Sequence, residues 1–416
     1  MKLTAHREHE EVRRCFAAAY FSKSLAWSFN DVLLAFFLHV GLGYSAVDTG
    51  TLLFVLLIFG ALSNILVGGL IDALKTERRI LLDMHVWGAL LIVATAWVQF
   101  GLAFEHSRGF ILAAVVFRLA FALYDVPQTA MISLLPDGEA EAAGYVRLRS
   151  SLAAIGRLTV TVANLLLAGW PGPIVRLGAS VVLALVSLAI IGTAWLLRRS
   201  AKRPTGRRLR PVSTSRRFAL PMGTVRLLGS FALAVAAMPV ISRLLIFAPS
   251  TATLPRLGAW LLVVFTLGSV VGPLLTMRIE KRHGWDFTWL GSIGLAVLSG
   301  DFLLYTIRGP VAIAFGLAFL HGVGLGVMGT LQWQTASSLV RDHAARTGQR
   351  TDGFLFGLVI FTIQCAVAIG SLLFAPLLDD FAAGGTSSAI IESALVSMSG
   401  VAIAALLVNL RTAHAA

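Results

Sequence analysis

The sequence predicts an all-α polytopic membrane protein: a bundle of twelve transmembrane helices in two halves of six. Three observations lead there. Of 416 residues, 57% are hydrophobic and only 13% charged, whereas a soluble domain carries roughly 25% charged residues. The chain divides into twelve apolar runs separated by polar breaks, each near the roughly 20 residues that cross a bilayer as a helix. One of these runs, Phe110–Leu135, contains an acid, Asp125. A carboxylate at that depth costs a few kcal/mol or more unless it faces protein or water, so Asp125 should face the bundle interior.

The predicted helices of the first half are Tyr20–Leu42, Thr49–Ile71, Ile80–Phe104, Phe110–Leu135, Ser150–Ala168 and Ile174–Leu197. Those of the second are Leu227–Phe247, Leu257–Met277, Phe287–Ile307, Val311–Gln332, Phe354–Leu378 and Ala389–Leu410. This divides the chain into an N-terminal half (1–197), a basic linker (198–219) and a C-terminal half (220–416). Lysine and arginine alternate in density from loop to loop. They are frequent before helix 1, after helices 2 and 4, in the linker, and after helices 8 and 10; the other loops hold at most Arg108, Arg176, Arg256 or Arg308. By the positive-inside rule both termini are expected in the cytoplasm, in an inner (plasma) membrane. Met1–Arg14 has charges of both signs and lacks the apolar core of a signal peptide.

The net charge of +13 would suggest nucleic acid in a soluble protein. Here nine Lys or Arg and no acid fall between Arg198 and Arg217, a cytoplasmic-loop pattern, so no nucleic-acid partner is expected. Cys15 and Cys365 form no disulfide framework, and no His/Cys/Asp cluster has metal spacing. No phosphate-binding Gly-x-x-x-x-Gly-Lys-Ser/Thr loop is present. Neither an enzyme nor an ATP-driven pump is expected, and no cofactor. The expected partners are a small-molecule solute, the bilayer and protons, and the expected state is a monomer.

Charged groups inside the runs are the site candidates. Lys23, Arg157 and Arg226 lie near helix ends, where long side chains can snorkel to the headgroups. Arg118 and Arg243 are deeper. Arg118 precedes Asp125 by two turns on the same face, and Arg243 follows Pro239. Asp31, beside Asn30, is mid-helix and joins Asp125 as a proton-coupling candidate; Asp301 reads as structural. Asn64, Gln128, His321, Gln332, Gln334 and Gln364 can each contact a solute or bond helix to helix. Of these, Gln128, Gln334 and Gln364 are carried as substrate-binding candidates. Trp333 lies between two glutamines, and an indole face flanked by amides suits a polyhydroxylated ring.

After helix 2 the chain reads Gly68-Gly69-Leu70-Ile71-Asp72, then Lys75, Glu77, Arg78 and Arg79. After helix 8 a degenerate copy runs from Gly272 to Arg278, Glu280, Lys281 and Arg282. Glycine allows close helix approach, and an acid followed by bases can brace neighbouring helix ends. Gly68, Asp72, Arg78 and Arg79 are therefore candidates for a conformational switch. The repeated motif resembles the loop signature of the major facilitator superfamily, whose halves are six-helix repeats.

Three further stretches resemble the glycoside–pentoside–hexuronide:cation symporter (melibiose-permease-like) branch. They are Tyr124-Asp125-Val126-Pro127 with its trailing Leu135-Pro136, the helix 5 opening from Arg149 to Gly156, and the loop Thr347-Gly348-Gln349-Arg350-Thr351-Asp352-Gly353. The resemblance implies that Asp125, Arg149, Lys23 and Trp333 contact the solute. An ionised carboxylate can accept hydrogen bonds from two hydroxyls at once. The departures matter as well. Gly60 and Asn64 stand where the family has helix 2 acids, Ser24 where it has a helix 1 acid, Ser338 for a helix 10 acid, and Gln364 for a helix 11 lysine. Sodium needs a cage of hard oxygens, so proton coupling at a single buried carboxylate is expected instead. The expected function is alternating-access transport of a sugar or glycoside-like solute. Two alternatives stay open: proton-driven export of an amphipathic compound, and a non-transporting scaffold.

Overall fold

The computed structural model describes residues 2–36, 38, 44–73, 78–104, 109–136, 138–167, 172–201, 220–221, 223–236, 257–306, 310–347 and 351–382. Eleven helices follow one another in these segments: α1 (Lys2–Phe36), α2 (Ala46–Ala73), α3 (Arg78–Phe104), α4 (Gly109–Leu134), α5 (Glu139–Leu167), α6 (Gly172–Ala201), α7 (Thr224–Ala236), α8 (Leu257–His283), α9 (Trp285–Thr306), α10 (Val311–Thr347) and α11 (Asp352–Ala382). Among the described residues, α2, α3, α4, α6, α8, α10 and α11 are long and apolar enough to cross a bilayer. The expected helix at Ala389–Leu410, most of the linker and Arg243 lie outside the described residues.

Three helices are longer than their apolar runs. α1 begins at Lys2 rather than Tyr20, α5 at Glu139 rather than Ser150, and α10 continues to Thr347 rather than stopping at Gln332. The added turns contain good helix formers and no proline. In α1 the Arg14 guanidinium lies 3.4 Å from Glu10, an i, i+4 pair. In α5, Glu139 and Glu141 occupy the first turn, where they oppose the positive end of the helix dipole. Hydropathy marks only the part of a helix that needs lipid, so these polar extensions escape it.

In the first half α1 packs on α5 and α6, α3 on α4 and α6, and α2 on α4. In the second, α10 packs on α8 and α9, and α7 on α11. The halves meet along α2–α11 and α5–α8, with α10 also touching α4 and α5. One apolar cluster crosses that junction: Phe16, Tyr20 and Tyr145 from one side join Trp333, Leu355 and Phe356 from the other. At the α2–α11 crossing, a Cβ on Gly353 would stand 2.7 Å from both the Gly68 carbonyl and the Ile71 side chain. Only glycine permits that approach. On the outer faces Leu66, Leu112 and Leu188 are about 70% exposed, as lipid-facing positions require.

Candidate functional site

Asp125 sits in α4 and is 8% exposed. Lys23 of α1 donates to its Oδ1 at 2.5 Å. Thr129, one turn along α4, donates to the same oxygen at 3.0 Å. Lys23 is itself buried, at 7% exposure, which corrects the snorkelling reading. Because α1 starts at Lys2, Lys23 lies about six turns into the helix and cannot be at its end. Its ammonium also stands 3.7 Å from the centre of the Tyr20 ring, a cation–π contact.

The polar array continues across the bundle. Tyr20 and Thr129 share a hydrogen bond at 3.3 Å. Arg149 Nε donates to the Tyr20 hydroxyl at 2.5 Å. The Arg149 guanidinium lies 3.4 Å from the centre of the Trp333 ring on α10. Trp333 is held edge-on by Phe231 at 5.3 Å and stacked with Phe356 at 6.1 Å. A hydroxyl has one proton, which fixes the direction. Thr129 gives its proton to Asp125, so Tyr20 must give its own to Thr129, and Arg149 supplies Tyr20. These donors all lie in the N-terminal half and point toward the Asp125 carboxylate; the C-terminal half meets the array at Trp333, against the Arg149 guanidinium. Two cations and one carboxylate leave this array with a net positive charge.

A second polar cluster lies two turns away on α4. Arg118 is 2% exposed, and its guanidinium stands 4.9 Å from the Trp27 ring centre. Asn64 donates to the Gly60 carbonyl at 2.7 Å and to Gln364 Oε1 at 3.2 Å. A Cβ on Gly60 would meet both Gln364 Oε1, at 3.1 Å, and Arg118 Cδ, at 3.4 Å. Gln364 thus ties α11 to α2 beside Arg118 rather than joining Asp125. Gln128 is fully buried, with no hydrogen bond to its amide among the described residues. Gln334 is half-buried on α10, and Gln332 donates to the Ser230 carbonyl at 2.9 Å. The side chains of Asp31 and Asp301 lie outside the described residues, as does that of Arg78. No cluster of three or more His, Cys, Asp or Glu that could hold a metal occurs among the described residues.

Asp72 ends α2 and reaches the start of α11. Its Oδ1 accepts the Gly353 amide at 2.9 Å and its Oδ2 the Phe354 amide at 2.8 Å. These are amides of the first turn of α11, which have no partner inside the helix. Ser133 of α4 donates to Asp352 in the same turn. Sequence reasoning looked for the partner of Asp72 among nearby bases. Arg79 is exposed and enters no ion pair among the described residues. Tyr20, Thr129 and Ser133 were missed as well. Tyr20 and Thr129 stand three and four residues from Lys23 and Asp125, on the same helix faces, a signal that could have found them.

The profile of the family described as MFS/sugar transport protein matches residues 15–409. The chain belongs to this family. A curated relative in Escherichia coli (strain K12), the candidate glycoside/cation symporter YagG, is 25% identical over 358 residues, covering 83% of this chain and 77% of its own. Among solved structures, a bacterial homologue of the iron transporter ferroportin in the outward-facing state superposes with a TM-score of 0.70 at 14% identity, covering 95% of this chain and 99% of its own. The major facilitator superfamily transporter FucP in its outward conformation superposes with a TM-score of 0.64 at 13% identity, covering 95% and 98%. At such identities the structures establish the fold. As a member of the MFS/sugar transport family, the protein is a multi-pass secondary active membrane transporter and not an enzyme.

Proposed function

We propose that the protein carries a sugar or glycoside-like solute across the inner membrane by alternating access, with both termini cytoplasmic and a proton as the coupling ion. The observation that carries this reading is the relay from Trp333 through Arg149, Tyr20 and Thr129 to Asp125. It joins the two halves through groups suited to a polyhydroxylated ring: an indole face, cationic donors, and a carboxylate whose Oδ2 has no hydrogen bond among the described residues. The family description and the glycoside/cation symporter among its relatives point the same way.

A solute seated here competes for Arg149 and Trp333, the contact by which the array spans the two halves, and so loosens that contact. A proton arriving at Asp125 acts inside the N-terminal half, because a neutral carboxyl no longer holds Lys23 and so frees α1 from α4. Sodium fits poorly. The Lys23 ammonium already occupies the carboxylate, and Asn64 turns its NH2 group toward Gly60 and Gln364. The end where Asp72 grips α11 is the cytoplasmic gate, closed in this state. Reconstituted protein should take up members of a panel of sugars and glycosides, with lipophilic cations and lysolipids inert. Transport confined to the lipophilic compounds would instead establish the exporter reading.

A further inference from the structure

Arg79 forms no ion pair among the described residues, and its surroundings suggest a further use. On α3, Arg79, Asp83 and Trp87 are spaced by four residues and share one face. α3 packs on α6, and Asp83 meets Arg198 of α6 at 2.5 Å, both about one-third exposed. That pair fixes the register of the seam. Trp195 lies one turn before Arg198 and Arg199, and the Arg199 guanidinium stands 5.5 Å from the Trp195 ring centre. Trp87 is 66% exposed and Trp195 50%. Each lies about one turn from the ion pair along its helix, toward the middle of that helix.

The seam therefore has two levels. At the outer level one acid, Asp83, is paired with Arg198, with Arg79 one turn before it on α3 and Arg199 beside Arg198 on α6. Arg198 is engaged by Asp83, while Arg79 and Arg199 are exposed and form no ion pair among the described residues. At the inner level each helix carries an exposed indole, Trp87 on α3 and Trp195 on α6. Beyond α6 the sequence adds seven more Lys or Arg and no acid within 202–217. We infer that the α3–α6 seam is a binding site for an anionic glycerophospholipid. Its phosphate lies between Arg79 and Arg199, and its glycerol and upper acyl chains lie against Trp87 and Trp195. Guanidinium groups match phosphate oxygens in geometry as well as charge, and basic pockets between transmembrane helices select anionic headgroups. The two tryptophans favour a lipid over a free anion, because indoles settle at the headgroup level of a bilayer. The site is independent of the transported solute.

The test is native mass spectrometry of the full-length protein, titrated with phosphatidylglycerol and, separately, with phosphatidylcholine. Phosphatidylglycerol should bind more tightly. Each arginine lost should weaken it about fivefold, so Arg79→Gln with Arg199→Gln should weaken it roughly thirtyfold. The same pair changed to lysine should retain most of the binding, as a check that the fold is intact. Trp87→Leu with Trp195→Leu should weaken the lipid while leaving all three arginines in place. The assignment is overturned if Arg278→Gln with Arg282→Gln, at the exposed end of α8, weakens binding equally, since attraction would then be spread over the whole surface. It is also overturned if excess inorganic phosphate displaces phosphatidylglycerol completely and the tryptophan variants bind normally, which would make the seam a free-anion site.

Discussion

Replacing Lys23 with methionine removes the ammonium from a pair that stands at 2.5 Å, with side chains only 8% and 11% exposed. Asp125 keeps the Thr129 hydroxyl at 3.0 Å, but a single neutral donor does not compensate a buried charge. Removing one partner of a buried ion pair costs about 3–5 kcal/mol. Replacing both is far milder, because neither side then leaves a charge stranded. Lys23→Met should therefore destabilise the protein by about that amount, and Asp125→Asn should strand the ammonium to a similar degree. The double variant Lys23→Met/Asp125→Asn should recover most of the loss, with a coupling energy on the order of 2–4 kcal/mol. The assay is denaturant titration of the four purified proteins in one detergent, followed by tryptophan fluorescence and a gel-filtration check of the folded state. If the two single costs simply add, with coupling below about 0.5 kcal/mol, the two groups do not neutralise each other in the folded protein and the site as described is wrong.

Three other outcomes are expected. Asp72→Ala strips the first-turn amides of Gly353 and Phe354 of their acceptor. It should weaken the closed gate by about 2–3 kcal/mol, seen as a shift in spin-label distances between the ends of α2 and α11 at normal expression; unchanged distances would remove the gate role. Arg149→Lys keeps the charge but loses the planar stack on Trp333 at 3.4 Å, so solute affinity should fall about tenfold in equilibrium binding, whereas an unaltered dissociation constant would place the solute elsewhere. For topology, an impermeant thiol reagent on intact cells should label Ser107→Cys and miss Ser200→Cys, and the opposite pattern would invert the orientation.

The fold class was legible because lipid imposes length and composition on every crossing helix. Asp125 was legible for the same reason: a charge in an apolar run stands out. Lys23 was harder to place. Its helix continues through the charged segment from Lys2, which has no hydropathy signal, so a residue deep in α1 looked like one near its end. Arg149 fell just outside the predicted helix because the first turns of α5 are acidic and polar. The partners of Asp72 were out of reach altogether. They are backbone amides 281 and 282 residues away, and an amide has no side-chain signature. The family resemblance grouped Asp125, Lys23, Arg149 and Trp333; the relay through Tyr20 and Thr129 that connects them needed coordinates.

The central claim is that Asp125 is the coupling carboxylate of a proton-driven solute carrier. It is tested most directly by measuring accumulation of a transported glycoside in proteoliposomes under an imposed pH gradient, with and without sodium, for the wild type and for Asp125→Asn. The account predicts that the wild type concentrates the solute when the pH gradient is present and is indifferent to sodium. It predicts that Asp125→Asn, matched in shape but without the charge, no longer concentrates it. Strict sodium dependence in the wild type, or undiminished pH-driven accumulation by Asp125→Asn, would contradict it.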